Sequence, residues 1–413
     1  MSSSIRVSNV VIVDDTSRNF GGTAKVAYET ARVLSARGIN VVYFAGYGPA
    51  DDRLSNVEVM EVREEPFLDC SSKVRGAIEG LWSRATYDKL RQLLCGFDPG
   101  DTVVHVHSWT HALSSSVFTA CKRAGFKTVV TLHDYFLSCP NGGLYDYARD
   151  DLCSKTPCSP SCVLRNCDKR NYAQKLYRCA RIAIQKMALR KCKVTFCYLS
   201  EFTFRLSGRQ GLDKSPVYLP NPIDCARPQF DHCDNDVQRE RFYLFVGRFD
   251  KEKNPELFCR ALTTLGLPGV LCGDGPEFER LRSAYPNLSF KGWCDSGQIQ
   301  DCYNRCRALI MTSSWYEAQP LSCLEAMLTA NVPCIVPETC GAISYIEDGE
   351  TGLFFKRNDI DSLCAAIRTM ERPDVCERLR ANIRKARPRL EAAHSMNAYG
   401  DKVITVYEDA LAK

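Results

Sequence analysis

Two acidic and two basic side chains carry the strongest chemical signal in this sequence. Glu317 and Glu325, with seven residues between them, bracket Ala318-Gln319-Pro320-Leu321, and Arg248 and Lys253 follow the apolar run Phe242 to Val246. Pro320 suits the first position of a helix, where a missing N–H costs nothing, so Glu317 falls in the loop ahead and Glu325 more than a turn inside. Free N–H groups and the positive end of a helix dipole then lie between two carboxylates. An anion docked there would have a carboxylate on each side for hydroxyl groups. Two cations just beyond the carboxyl end of a strand suit a diphosphate. Each feature also has a plain reading, with Glu317 capping the helix, Glu325 in solvent, and Arg248 and Lys253 as surface charges.

Near the start, Asp14-Asp15 closes the first apolar run and Gly21-Gly22 precedes a helix beginning near Thr23. Two glycines let the backbone approach a phosphate, or simply make a tight turn. His133, in Leu132-His133-Asp134, ends another apolar run, as a ligand contact or as a satisfied strand-end histidine. Beyond it, Cys139, Cys153, Cys158, Cys162 and Cys167 lie among Pro, Ser, Asn and Asp, where no core accounts for them. Four thiolates suffice for a structural zinc or an iron–sulfur cluster, although the spacings match neither a paired zinc finger nor a ferredoxin. A chain with 23 cysteines can also gather five by composition alone.

Parallel strands must position these groups. Val7 to Val13, Asn40 to Ala45, Thr102 to His107, Lys127 to Leu132, Phe242 to Val246, Gly269 to Cys272, Ala308 to Thr312 and Val332 to Val336 are short apolar runs separated by helix-period stretches. That alternation marks strands buried on both faces. It predicts an α/β chain of two doubly wound Rossmann-like domains. The pattern lapses from Asp213 through Asn221-Pro222-Ile223-Asp224 to Arg239, which places a domain boundary there: 1–218, then 219–394, then a last helix over 395–413. It lapses again from Ser138 to Lys169, an insert of about 30 residues that something other than a core must hold.

The composition is that of an ordinary globular protein, 45% hydrophobic and 25% charged over 413 residues, with no run long enough to span a membrane and no signal segment. A cytoplasmic chain with reduced cysteines is expected. The net charge of +5 is too mild to imply nucleic acid. Yet ten basic residues face one acidic residue, Asp168, between Arg165 and Lys193. The helix expected over Asn171 to Lys193 carries Leu176, Ala180, Ala183 and Met187 on one face and Lys175, Arg178, Arg181 and Lys186 on the other. Such a helix either lies on an anionic membrane surface, faces a phosphorylated lipid acceptor, or packs on the core with its basic face in water.

Taken together, the glutamate pair, Gly247-Arg248 with Lys253, Asn221-Pro222-Ile223-Asp224, Gly273-Asp274-Gly275-Pro276, Gly21-Gly22, and His105 with His107 resemble the GT-B glycosyltransferases of family 4. The resemblance implies two Rossmann-like domains facing a cleft, with the last helix crossing back to the first domain. It implies retaining transfer of a sugar from a nucleotide-diphosphate sugar to a lipid-linked saccharide or polysaccharide, at the inner membrane face, with no metal needed for transfer. By the same resemblance Arg248 and Lys253 neutralise the diphosphate, Gly21 and Gly22 approach it, Glu325 holds the ribose, Glu317 holds the sugar, Gln319, Pro320 and Leu321 line the donor site, and His133 stands near the reacting centre. Asn254 and Ala318 occupy positions where the family often has glycine. The insert is similar to one in a polysaccharide-building branch, whose cysteines match Cys139, Cys153, Cys162 and Cys167 as metal ligands, zinc ahead of iron–sulfur. The rival reading is a non-catalytic nucleotide-sugar-binding sensor or partner subunit with a cysteine-ligated metal; a sugar-nucleotide epimerase fits the glutamate pair less well.

Overall fold

The structure, a computed structural model, describes residues 6–18, 21–63, 65–207, 217–224 and 242–413. The chain is α/β and forms two compact units that part between Pro222 and Ile223, with the first unit regaining the chain at Met396. Most of the lapse from Asp213 to Arg239 lies outside the described residues.

The first unit holds seven parallel strands: β1 (Asn9–Thr16), β2 (Asn40–Tyr47), β3 (Glu58–Arg63), β4 (Thr102–Val106), β5 (Lys127–Leu132), β6 (Val194–Tyr198) and β7 (Val217–Tyr218). Their order is β3-β2-β1-β4-β5-β6-β7. Val10, Val11, Ile12 and Val13 of β1 are all at most 1% exposed, as a central strand covered on both faces requires. On one face α1 (Gly21–Ser35) and α6 (Met396–Ala412) cover the sheet, sharing a core of Ile12, Ala27, Leu34, Val403 and Tyr407. The Thr30 and Tyr399 hydroxyls join these two helices at 2.7 Å. Helices α2 (Lys73–Leu81) and α3 (Tyr172–Leu189) also belong to the first unit, and α4 (Pro255–Leu265) and α5 (Leu321–Ala330) to the second.

The second unit repeats the plan with six parallel strands: β8 (Tyr243–Val246), β9 (Gly269–Cys272), β10 (Ser289–Gly292), β11 (Ala308–Ile310), β12 (Cys334–Pro337) and β13 (Gly352–Phe355). They run in the order β10-β9-β8-β11-β12-β13. In each sheet the winding reverses beside the first strand, at β1/β4 and at β8/β11, and ligands bind beyond the carboxyl ends of strands at such a point.

Helix α3 turns out opposite to expectation. Its inward residues are Lys175, Ile182, Gln185 and Ala188, while Leu176, Ala180, Ala183 and Met187 are exposed. Fixed polar partners set that orientation. Trp109 Nε1 donates to Gln185 Oε1 at 2.8 Å, and Gln185 Nε2 donates to the Leu137 carbonyl at 3.1 Å. Arg178 pairs with the buried Asp168 at 3.1 Å, and Arg181 donates to the Thr110 carbonyl. Of the basic face only Lys186 is exposed. No helix among the described residues is long and apolar enough to cross a membrane.

Candidate active site

In the second unit the loop after β8 carries Gly247-Arg248, and the loop after β11 carries Ser313 to Gln319. Gly273 and Gly275 adopt φ +137 and +155, and a Cβ would meet the Gly247 carbonyl at 1.9 Å or the Phe249 backbone at 2.8 Å. Only glycine lets the β9 loop lie against the Arg248 loop, where Phe249 N donates to the Asp274 carbonyl at 2.9 Å. Arg248 is half exposed and pairs with Asp250 at 2.9 Å.

Lys253 is stitched to the β11 loop by its backbone. Thr312 Oγ1 donates to the Lys253 and Asn254 carbonyls at 3.2 and 2.7 Å, and Ser314 N donates to the Glu252 carbonyl at 2.9 Å. Asn254 sits at φ +49, which explains why a glycine is acceptable there, and its side chain caps α4 through Leu257 N at 3.2 Å.

The Lys253 ammonium donates to Glu317 Oε1 at 2.6 Å. Ser313 Oγ and Trp315 Nε1 donate to the same oxygen at 2.7 and 2.6 Å. Burial alone would raise the Glu317 carboxyl, but Lys253 and these donors hold it below its usual value, so it stays ionised. Its Oε2 makes none of these bonds. Gly341 supports this peptide from behind: its N–H donates to the Glu317 carbonyl at 2.8 Å, and a Cβ there would lie 1.8 Å from the Ala318 carbonyl.

Pro320 does not open α5 from inside. It is the N-cap, at ψ 110, and Leu321 is the first helical residue. Glu317 therefore lies ahead of the helix without capping it, Gln319 is buried beside it, and the first N–H groups of α5 are left without a side-chain cap. Glu325, one turn in, is half buried and accepts from the Tyr303 hydroxyl at 3.4 Å.

In the first unit, Gly21 opens α1 at φ +85, with Gly22 exposed after it. Asp15 accepts from the backbone N–H groups of His111, Ala112 and Leu113 at 2.9, 2.7 and 3.2 Å, which fixes the loop after β4. Burial raises Asp14 to about 7, against the donation of Ser108 and Tyr43 hydroxyls. His105 is structural: its ring nitrogens meet the Tyr407 hydroxyl at 2.7 Å and Thr131 Oγ1 at 2.8 Å. His107, the residue after β4, shares a 3.0 Å bond with His133 Nε2, and the two rings stack. Burial lowers His133 to about 3, so it is neutral near pH 7. Burial raises Asp134 beside it to about 6.

The insert is ordered, and its cysteines gather on an ammonium. Lys175, fully buried, donates to Cys167 Sγ at 3.2 Å and Cys162 Sγ at 3.4 Å. Burial would lower this lysine, but the two sulfurs raise it. Asn141 ties in the rest, accepting from the Cys139 thiol at 3.0 Å and donating to the Tyr145 and Cys167 carbonyls at 2.6 and 3.0 Å. Burial pushes the Cys139 thiol up to about 12. Among the described residues no three His, Cys, Asp or Glu side chains converge as metal ligands. The expected set Cys139, Cys153, Cys162 and Cys167 does not fit a metal in this arrangement, because the Lys175 charge already lies between two of its sulfurs.

A model of the group 1 glycosyl transferases matches residues 231–387, and a model of glycosyltransferase family 4 matches residues 20–227, half of the chain. The chain belongs to glycosyltransferase family 4. It is a glycosyltransferase of GT-B fold, and solved structures of that fold align over its whole length. HepE of Anabaena, solved with UDP and glucose, has a TM-score of 0.69 at 13% identity, covering 97% of this chain and 99% of that one. Sucrose-phosphate synthase of Thermosynechococcus elongatus has a TM-score of 0.71 at 18% identity, over 98% and 99%. WaaG, a glycosyltransferase involved in lipopolysaccharide biosynthesis, has a TM-score of 0.66 at 15% identity, over 96% and 99%. No curated protein matches the sequence. At these identities the likeness is one of fold.

Of the family 4 sequence motifs, Gly21-Gly22, His107, Gly247-Arg248 and Glu317 follow the strands that flank a reversal of winding, whereas Gly273-Asp274-Gly275-Pro276 follows the neighbouring strand β9. Sequence reasoning gave no role to Ser313, Trp315 and Gly341, and singled out Asn254 only as a departure from the family's glycine. The first two lie four and two residues before Glu317, close enough for local spacing to have suggested them.

Proposed function

We propose that this enzyme transfers a hexosyl unit, with retention of configuration, from a nucleotide-diphosphate sugar to a lipid-linked saccharide or polysaccharide acceptor. The observation that carries the reading is the Lys253–Glu317 pair with Ser313 and Trp315 behind it. A fixed cation beside a carboxylate whose Oε2 makes none of these bonds supports roles for Lys253 at the departing diphosphate and Glu317 at a sugar hydroxyl. The chemistry needs stabilisation of a leaving diphosphate more than a strong base, and preorganised charges supply it.

Arg248, half exposed and paired with Asp250, reaches the same phosphates, and the uncapped start of α5 offers its N–H groups. Glu325 serves the ribose, and Gly22 offers its backbone N–H to a phosphate. Neutral His133 offers a hydrogen-bonding ring to the donor sugar rather than a charge. HepE, solved with UDP-glucose, and WaaG, which acts in lipopolysaccharide biosynthesis, support the donor class and an envelope acceptor. The sensor reading is weaker, because Arg248, Lys253, Glu317 and Glu325 are all present.

Thermal-shift titration against UDP, GDP and ADP sugars tests the donor, since a ligand at 100 times its dissociation constant stabilises by about 2.7 kcal/mol. With the donor in hand, Lys253→Ala should lower turnover by roughly two to three orders of magnitude, and the anomeric signal of the product should match that of the donor. Full activity in Lys253→Ala would refute the phosphate site, and an inverted product would refute retention.

A further inference from the structure

Helix α3 wears its apolar residues on the outside. Tyr172, Leu176, Ala180, Ala183 and Met187 repeat at four, four, three and four residues, so they form one stripe along the helix, and Leu176 and Met187 are 43% and 64% exposed. The stripe does not stand alone. Tyr177 of α3 donates its hydroxyl to the Ala77 carbonyl of α2 at 2.8 Å, and Gly80 makes room for that contact, since a Cβ would lie 2.3 Å from the same hydroxyl. Helix α2 thus lies against α3, and it presents Val74 and Ile78, one turn apart, at 71% and 61% exposure. On the other side Tyr172 donates to the Val163 carbonyl at 3.1 Å, which brings Leu164, 76% exposed, to the start of the stripe. Among the described residues nine large apolar side chains are exposed, and six of them, Val74, Ile78, Leu164, Tyr172, Leu176 and Met187, belong to this one region. A clustered apolar surface of this kind marks an interaction site rather than ordinary surface.

The charge around α3 selects the occupant. Lys169, Arg170, Lys186, Arg190, Lys191 and Lys193 are exposed, and the one acid from Arg165 to Lys193, Asp168, is buried and paired with Arg178. Apolar side chains with a basic rim and no exposed acid along the helix complement an anionic bilayer surface, into which such a helix sinks its apolar face while its cations meet the headgroups. We propose that α2 and α3 form a membrane-docking surface that enters the headgroup region of an anionic bilayer through Val74, Ile78, Leu164, Leu176 and Met187. This reverses the orientation read from the sequence: the apolar face enters the bilayer, and Lys175 and Arg178 have no part in it.

The experiment is sedimentation of the full chain with vesicles of phosphatidylcholine alone or phosphatidylcholine with phosphatidylglycerol, at low and high salt. Wild type should sediment with the anionic vesicles, and salt should weaken but not abolish binding. Lys186→Glu with Arg190→Glu should lower the partition roughly tenfold or more and remove most of its salt dependence. Leu176→Asp with Met187→Asp should abolish binding at every salt concentration, and Val74→Ser with Ile78→Ser should weaken it. All of these positions are exposed, so the variants should keep their unfolding midpoints and their nucleotide thermal shifts, which report on the donor site separately. Unchanged sedimentation of the Leu176 and Met187 variant would overturn the proposal. So would a wild type that ignores vesicles but runs as a dimer which that variant converts to a monomer, because the surface would then serve a second copy of the chain.

Discussion

The Lys253 ammonium and the Glu317 carboxylate, 64 residues apart in sequence, meet at 2.6 Å, with their side chains only 23% and 11% exposed. Each is the other's counter-charge in a setting where neither would be tolerated alone. Removing either partner leaves a largely desolvated charge, at a cost on the order of 3 kcal/mol. Lys253→Met and Glu317→Gln should each destabilise in urea unfolding, and the double variant should cost less than the two single losses added. Strict additivity would show that the charges do not depend on each other.

Glu325 and Glu317 should separate by ligand. Glu325→Gln should weaken free nucleotide and nucleotide sugar alike, whereas Glu317→Gln should spare free nucleotide and impair the sugar-bearing donor. Calorimetric titration of both variants with both ligands decides it, and the division of roles fails if the two variants respond identically.

Asp15 holds three backbone N–H groups of the loop after β4. Leaving buried donors unpaired costs about 1–3 kcal/mol each. Asp15→Ala should therefore lose roughly 3 kcal/mol or more in chemical denaturation, and Asp15→Asn, which keeps an acceptor, should lose less.

The buried histidines make the fold acid-sensitive, and Asp14 acts in the opposite sense. Burial, with His133 nearby, lowers His105 from 6.5 to about 3. Between those values the unfolded chain binds a proton that the folded chain refuses, so stability is complete above 6.5 and drains away as pH falls toward 3. Asp14 is raised from 3.8 to about 7, so its contribution is complete below 3.8 and is lost as pH rises through 7. Urea midpoints measured across that range should show a shallower acid decline in His105→Gln and a smaller loss toward neutral pH in Asp14→Asn.

If Lys175 takes the place of a cation among the cysteines, protein prepared without added metal should carry well below one equivalent of zinc by elemental analysis. Lys175→Ala should then be less stable, since Cys162 and Cys167 lose the group they share, and it is the variant in which zinc could enter. A full equivalent of zinc in wild type would restore the four-cysteine ligand set.

The sequence is most readable where both faces of an element are buried. Strands β5 and β9 begin and end where their apolar runs do. Strand β3, Glu58–Arg63, lies at a sheet edge and breaks its valines and methionine with Glu58, Glu61 and Arg63, so it offers no apolar run. For α3 the periodicity shows which residues share a side but not which side turns inward. That choice belongs to Trp109, Leu137, Thr110 and the cysteines, brought in from other segments by the fold. Glu317 and Lys253 stand out by type and spacing, yet their pairing depends on two loops that only the β8–β11 neighbourhood brings together.

Helix α6 supplies Tyr399 to Thr30 and Tyr407 to His105, so the core of the first unit is closed by residues made after the whole of the second unit. More than 170 residues of the second unit, Ile223 to Ser395, are synthesised between Pro222 and that closing helix. Until it arrives, the sheet face over Ile12 and Val103 is covered by α1 alone, and the nascent first unit must wait with part of its apolar surface exposed. Premature termination anywhere in the second half would therefore damage the first half as well. By the same dependence, a chain whose first sheet is fully covered has also been translated through the loops that carry Arg248, Lys253 and Glu317.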